Sequence, residues 1–274
     1  VATHVIYVPG AFGSYDQENF GGTMLQSPNV AVTRSWNNWT ISDSAATTDM
    51  NNLFDLIVDQ FIAGATFVIV VGHSRGAQVI YKLLRERLGD LVAQVDTDKL
   101  LLISAGNPER KGRGRAVLRP DDYPAAYPGP SGGGEGVGYG LPTGGIDPVK
   151  LLDISMQYDE WSDYPNDWDN TAASDAIGNS WHSKYEQAPE LGLDGLPVDW
   201  NEWTYWEEGT VTYMVAPAQS LVAAPEKSAI ARLHGGVPNR NRILKAQLLD
   251  QAHPDRIAIE SAYDRPYPIL AKVS

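Results

Sequence analysis

The sequence predicts an α/β fold, a doubly wound and mainly parallel sheet with helices on both faces and a long Gly/Pro-rich surface insertion. Three observations carry that expectation. Short, almost wholly apolar runs recur along the chain, as parallel strands buried on both faces require. Stretches of helical periodicity separate these runs, the alternation expected of a doubly wound sheet. One run passes through a glycine-flanked serine turn directly into a helix.

The elements follow in chain order. Val5-Ile6-Tyr7-Val8 ends at Pro9-Gly10 and reads as a buried parallel strand. Asn29 to Thr33 is a second candidate strand. From Asp43 to Phe61 the apolar residues Met50, Leu53, Phe54, Ile57, Val58 and Phe61 fall near helical spacing, which predicts an amphipathic helix returning to the sheet. Phe67 to Val71 is the next strand and Ala77 to Leu88 the next helix. Leu100 to Ala105 is a buried strand closed by Gly106-Asn107-Pro108. Between Arg110 and Pro148 the composition shifts to Gly, Pro and Tyr, which predicts an excursion over the surface, and loops of that length in compact domains usually serve function. Leu151 to Tyr158 returns as a strand, Thr171 to Ile177 reads as a helix, Thr210 to Val215 as a strand and Arg240 to Asp250 as a helix. The expected organisation is a single domain over 1–274, with 110–148 a surface insertion and 190–274 a C-terminal extension packed on the core.

Composition narrows the function classes. With 274 residues, 43% hydrophobic and 20% charged, the chain can bury a full-size core and is neither disordered nor a coiled coil. A formal net charge of −13 argues against a nucleic-acid surface, because phosphate contacts need clustered Lys and Arg. The one basic cluster, Arg110-Lys111-Gly112-Arg113-Gly114-Arg115, is short and broken by glycine, and is expected to be a solvated loop. The absence of cysteine excludes a thiol nucleophile, a disulfide framework and a Cys-ligated metal. No apolar stretch is long enough to predict a membrane span. The acidic string Asp159, Asp163, Asp167, Asp169 and Asp175 lacks the glycine and terminal glutamate of an EF-hand loop, and no close pair of histidines suggests zinc. Neither a metal nor a cofactor is therefore expected. Composition leaves the oligomeric state open.

Gly72-His73-Ser74-Arg75-Gly76 carries the chemistry. A G-x-S-x-G pentapeptide arises by chance about 0.1 times in a chain of this length. Its place between an apolar strand and a helix is what gives it weight. There a serine hydroxyl is presented on a strained turn beside free backbone N–H donors, and the flanking glycines let strand and helix approach closely. This is the nucleophile elbow of an α/β-hydrolase, in which an acid and then a histidine follow the serine in the chain.

Candidate acids are Asp159 and Asp163. Asp163 is preferred because it lies past the strand end in a turn closed by Pro165, where its carboxylate can point back to the elbow; Asp159 is the rival. The downstream histidines are His182, His234 and His253, and residue type alone does not choose among them. The oxyanion donors expected are the N–H of Arg75, next after the nucleophile, and that of Ala11 in the glycine turn after the first strand, with Phe12 as the alternative. Trp200, Trp203 and Trp206 fit an acyl or sugar site, core packing or an oligomer contact.

An ordered set of landmarks resembles the PE-PPE domain esterases of mycobacteria, relatives of the cutinases. These are Val8-Pro9-Gly10, the serine pentapeptide, Gly106-Asn107-Pro108, Gln157-Tyr158-Asp159 with Asp163-Tyr164-Pro165, His182 with Tyr185, Gly209-Thr210-Val211-Thr212-Tyr213, and Tyr263-Asp264-Arg265-Pro266. The resemblance implies hydrolysis of acyl or lipid esters by Ser74, Asp163 and His182, and an extracellular, cell-envelope or virion setting. Lack of cysteine departs from the disulfides usual in secreted cutinases. Phage lysin B enzymes, which cleave mycolyl esters, share a similar Gly-Asn-Pro segment followed by a basic residue, here Arg110, but take their histidine from near the C-terminus, which would promote His234 or His253. The alternatives to a general esterase are thus a mycolyl-ester hydrolase and a non-catalytic virion or surface protein that keeps the hydrolase fold.

Overall fold

Strand β1, Thr3–Val8, turns from half-buried to fully buried after two residues, because it is flanked by parallel strands on both edges. The computed structural model describes residues 3–10, 30–34, 42–120, 139–157, 159–167, 169–170, 173, 182, 204–216 and 261–264. The elements after β1 are β2 (Val30–Arg34), α1 (Asp43–Ile62), β3 (Phe67–His73), α2 (Arg75–Gln94), a 3-10 turn (Thr97–Lys99), β4 (Leu100–Ala105), α3 (Arg115–Leu118), β5 (Lys150–Met156), β6 (Thr204–Glu208) and β7 (Val211–Ala216). The strands form one sheet in the order β2-β1-β3-β4-β5-β7-β6, parallel throughout except for the edge strand β6, which runs antiparallel to β7. The chain is therefore an α/β protein, as its strand and helix alternation predicts.

Helix α1 begins where Ser42 caps it, the Ser42 hydroxyl accepting from the Ala45 N–H at 3.2 Å. Its buried residues Ala46, Met50, Leu53, Phe54 and Ile57 recur at three- and four-residue intervals and meet α2 through Val79, Ile80, Leu83 and Leu84. Helices α1 and α2 pack on each other and on one face of the sheet, over Ile6, Val8, Val68, Val70, Leu100, Leu102 and Leu151. Two successive right-handed crossovers in the same direction require them to share that face. The opposite face is also buried, at Val5, Tyr7, Val71, Ile103 and Ile154. The helices expected there, and the expected helix at 240–250, lie outside the described residues, as does that at 171–177 apart from Ala173.

Three expectations change. Residues 204–216, predicted to belong to an extension packed on the core, are strands of the sheet itself, and β7 is an internal strand between β5 and β6. Thr210 to Val215 is readable as a strand, but Thr204–Glu208 is not, because its edge position leaves Tyr205, Glu207 and Glu208 exposed and its pattern mostly polar. Trp206 stacks on Tyr213 at 4.7 Å between ring centroids, so this member of the tryptophan cluster packs on the core. In the stretch expected to be a surface excursion, Ala116 is buried and Ile146 joins the core, while 121–138 lie outside the described residues.

The third change concerns the basic cluster, which is not a solvated loop. Arg110 and Arg113 are buried and only Lys111 of the four side chains is largely exposed. Arg110 donates to the Met214 carbonyl at 3.0 Å, lies 3.5 Å from the buried Asp153 carboxylate and stacks over Trp206 and Tyr213. Burial pushes the Asp153 carboxyl up, while Arg110 and a hydrogen bond from the Tyr81 hydroxyl act in the other direction. Arg113 reaches the Asn166 side chain and the Tyr263 ring, and Arg115 pairs with Glu160 at 3.1 Å. These guanidinium groups tie the loop after β4 to β5, β7 and the loop after β5. A charge count along the sequence misses this because it cannot show the partner that waits for each arginine, above all the buried Asp153 carboxylate beside Arg110.

Candidate active site

Strand order reverses between β1 and β3, since β2 lies on the far side of β1 and the chain then crosses to β3. In open α/β sheets the crevice beyond the carboxyl ends of the strands at such a switch point is where ligands bind. Pro9-Gly10 leaves β1 there and Ser74 leaves β3.

Ser74 has φ 54° and ψ −116°, and it is the one non-glycine residue with positive φ among the described residues. Such a conformation costs about 1–3 kcal/mol and persists only where the surroundings enforce it. Here the Ser74 N–H donates to the Ala105 carbonyl at 2.9 Å and its carbonyl accepts from the Gln78 N–H at 3.1 Å, so both backbone groups are held. The two motif glycines make the approach possible. A Cβ on Gly76 would lie 2.0 Å from the Val8 carbonyl oxygen, and one on Gly72 would lie 2.6 Å from the Gly76 carbonyl oxygen. Helix α2 starts at Arg75, two residues before the predicted start, and the N–H groups of its first turn have no acceptor within the helix.

His182 meets the serine. Its Nε2 lies 2.7 Å from Ser74 Oγ, and its Nδ1 lies 3.0 and 3.1 Å from the two carboxylate oxygens of Asp159. A carboxylate only accepts, so the ring carries its proton on Nδ1 and leaves Nε2 to accept from the Ser74 hydroxyl.

The structure brings Asp159, the rival on the sequence, to the His182 ring. Asp163, preferred on the sequence, is buried one turn beyond Asp159, where its backbone N–H donates to the Asp159 carbonyl at 3.0 Å. Asp159 is the residue at the ring because β5 ends at Met156, and the tight turn that follows aims the first carboxylate back across the strand ends. Asp159 is fully buried and also accepts from the Trp161 N–H at 2.8 Å and the Ser162 hydroxyl at 2.8 Å. The Ser162 hydroxyl in turn lies 2.7 Å from that of Ser155 on β5. Burial alone would raise the Asp159 carboxyl, but the His182 ring and these hydrogen bonds outweigh it and hold the group down at about 2. The spacing Asp159-x-x-Ser162, an aspartate turn closed by its own i+2 N–H and i+3 hydroxyl, was the signal available in the sequence.

Ala11 and Phe12 lie outside the described residues, as do His234, His253 and Tyr185. The Arg75 side chain turns away from the crevice and pairs with buried Asp49 of α1 at 2.6 Å, which fixes the start of α2. The Gly106-Asn107-Pro108 turn serves structure, with Asn107 donating to the Ser104 hydroxyl and accepting from the Glu109 N–H. Glu109, unmarked on the sequence, is buried and gathers Gln78, Arg85 and the Gly140 N–H around its carboxylate. Among the described residues no cluster of His, Asp or Glu could hold a metal ion, and no helix is long and apolar enough to cross a membrane.

Residues 21–222, well over half of the chain, match the family model described as the PE-PPE domain. No curated protein is significantly similar in sequence. Solved structures with some likeness include an acetyl xylan esterase (14% identity, 70% of this chain and 95% of that one, TM-score 0.41), a cutinase-like protein from Cryptococcus sp. (13%, 59% and 79%, TM-score 0.39) and Est1E from Butyrivibrio proteoclasticus (12%, 92% and 89%, TM-score 0.36). Likeness at that level says nothing about what the chain acts on.

Proposed function

The chain belongs to the PE-PPE domain family, and we propose that it is a cofactor-independent serine esterase that cleaves carboxylic esters of acyl or lipid type through an acyl-enzyme on Ser74. The observation that carries this reading is the unbroken hydrogen-bonded line from Ser74 Oγ through His182 to Asp159 on a strained strand-to-helix turn. His182 takes the hydroxyl proton on Nε2 as Ser74 Oγ bonds to the ester carbonyl carbon, and then delivers it to the departing alkoxide. Asp159 stays ionised and stabilises the imidazolium formed in between, in keeping with a carboxyl held down at about 2. The carbonyl oxygen, negatively charged in the tetrahedral intermediate, is received by the N–H of Arg75 and, in this proposal, that of Ala11. Water, deprotonated by His182, then attacks the acyl carbon and releases the acid and the free serine.

The line of contacts favours His182 over His234 and His253 as base. The test is turnover of a series of p-nitrophenyl esters from acetate to long-chain acyl groups. Parent protein hydrolyses members of the series and is labelled by a fluorophosphonate, while Ser74→Ala does neither. Absence of turnover and labelling in the folded parent would overturn the proposal in favour of a non-catalytic member of the family. The optimum along the series identifies the acyl class.

A further inference from the structure

His73, the residue before the nucleophile, is the last residue of β3 and is buried at 4% exposure. Its imidazole Nε2 donates to the backbone carbonyl of His182 at 3.0 Å. The two rings also touch, with centroids 4.9 Å apart and planes tilted by 35°. On its other side the His73 ring abuts the turn after β1, where a Cβ on Gly10 would come within 3.1 Å of its Nδ1 and 3.3 Å of the Ser74 Cβ. One side chain thus touches the elbow, the residue that carries the base and the turn that leads to Ala11.

We propose that His73 is a positioning residue, its Nε2–H holding the backbone of His182 so that the His182 ring stays between Ser74 and Asp159. This inference rests on the esterase reading above. Ser74 and Asp159 are each fixed by backbone hydrogen bonds close to sheet strands, whereas His182 follows Asp159 by 23 residues and belongs to no strand. The His182 ring meets Ser74 and Asp159 and lies against the rings of His73 and Trp161, while the His73 donor acts on the main chain that carries it. Anchoring the His182 carbonyl to the end of β3 references base and nucleophile to the same strand. The peptide group and the ring then keep their place relative to Ser74. Because a misplacement of about 1 Å can cost roughly a hundredfold in rate, such an anchor acts on turnover rather than on substrate binding.

The donor is separable from the ring shape. In His73→Gln the amide nitrogen stands at the same reach from Cβ as imidazole Nε2 and can donate to the same carbonyl. His73→Phe keeps a flat ring and removes the donor, and His73→Met removes the donor with a flexible chain in case the phenyl ring is not accommodated. Kinetics on a p-nitrophenyl ester, with Tm measured alongside, are expected to show kcat reduced about tenfold to a hundredfold at little-changed KM in the Phe or Met variant, and restored to within a few-fold of parent in the Gln variant. Parent-like kcat in a folded donorless variant overturns the inference, and so does a Gln variant as slow as the donorless ones. Ser74→Ala in the same assay separates the two levels: an active Ser74→Ala protein defeats the esterase reading itself, whereas an inactive one beside indifferent His73 variants defeats only the role of His73.

Discussion

Replacing Asp159 by Asn tests the acid and the physics of its burial together. The carboxylate accepts from His182 Nδ1, the Trp161 N–H and the Ser162 hydroxyl, all at 2.8–3.1 Å in a fully buried site. An amide can turn its NH₂ toward His182, and the ring then prefers its other tautomer, with a proton on Nε2 facing Ser74 and no lone pair to receive the hydroxyl proton. By analogy with serine hydrolases in general, kcat should fall by about 10³–10⁴, or roughly 4–5.5 kcal/mol of transition-state stabilisation. Stability changes as well. A carboxyl lowered from 3.8 to about 2 on folding contributes on the order of 2 kcal/mol at neutral pH. For a depressed carboxylate that contribution is complete above about pH 4 and is lost as pH falls through 2. Urea unfolding of the parent between pH 5 and 2 should therefore show a decline that is shallower in Asp159→Asn by this amount. Asp163→Asn, which does not remove the carboxylate at the ring, should keep kcat within about tenfold of parent. Ester hydrolysis by both variants decides the matter: an active Asp159→Asn protein beside an inactive Asp163→Asn protein would refute the assignment and return the acid to Asp163.

Two further perturbations follow from packing. Arg110→Ala leaves the buried Asp153 without its cation and should cost about 3–5 kcal/mol, a fall in Tm of roughly 10 °C by thermal unfolding; the double change Arg110→Met with Asp153→Leu should recover most of it, and a parent-like Tm in the single variant would mean that the pair contributes nothing. Gly76→Ala drives a methyl group into the Val8 carbonyl at 2.0 Å and should reduce soluble yield or slow fluorophosphonate labelling by about a hundredfold or more, whereas Gly89→Ala in the same helix meets nothing within 4 Å and should be neutral or stabilising by up to about 1 kcal/mol.

Features that depend on local pattern are legible in the order of amino acids alone. Uninterrupted apolar runs such as Phe67 to Val71 and Leu100 to Ala105 have one good solution, a parallel strand covered on both faces. The periodicity from Asp43 to Phe61 has one good solution, a helix with a single buried stripe. A serine between two glycines at a strand-to-helix junction likewise marks an elbow, because Gly72 records a close approach of strand to helix within the turn itself, although the Val8 carbonyl that Gly76 clears comes from β1.

Contacts between residues far apart in the chain emerge only from the fold. Asp159 and Asp163 differ by one turn of a loop, and the end of β5 fixes which of them meets a histidine 23 residues downstream of Asp159. The arginines after Asn107 look like solvated charge until Asp153 and the Met214 carbonyl, supplied by β5 and β7, close around Arg110. Strand β6 reads as polar because an edge strand needs no apolar alternation on its open side. His73 is only a variable position in a motif until the His182 carbonyl arrives 3.0 Å from its ring nitrogen. In each case the identity of the residue is local, but its surroundings are supplied by parts of the chain far from it in sequence.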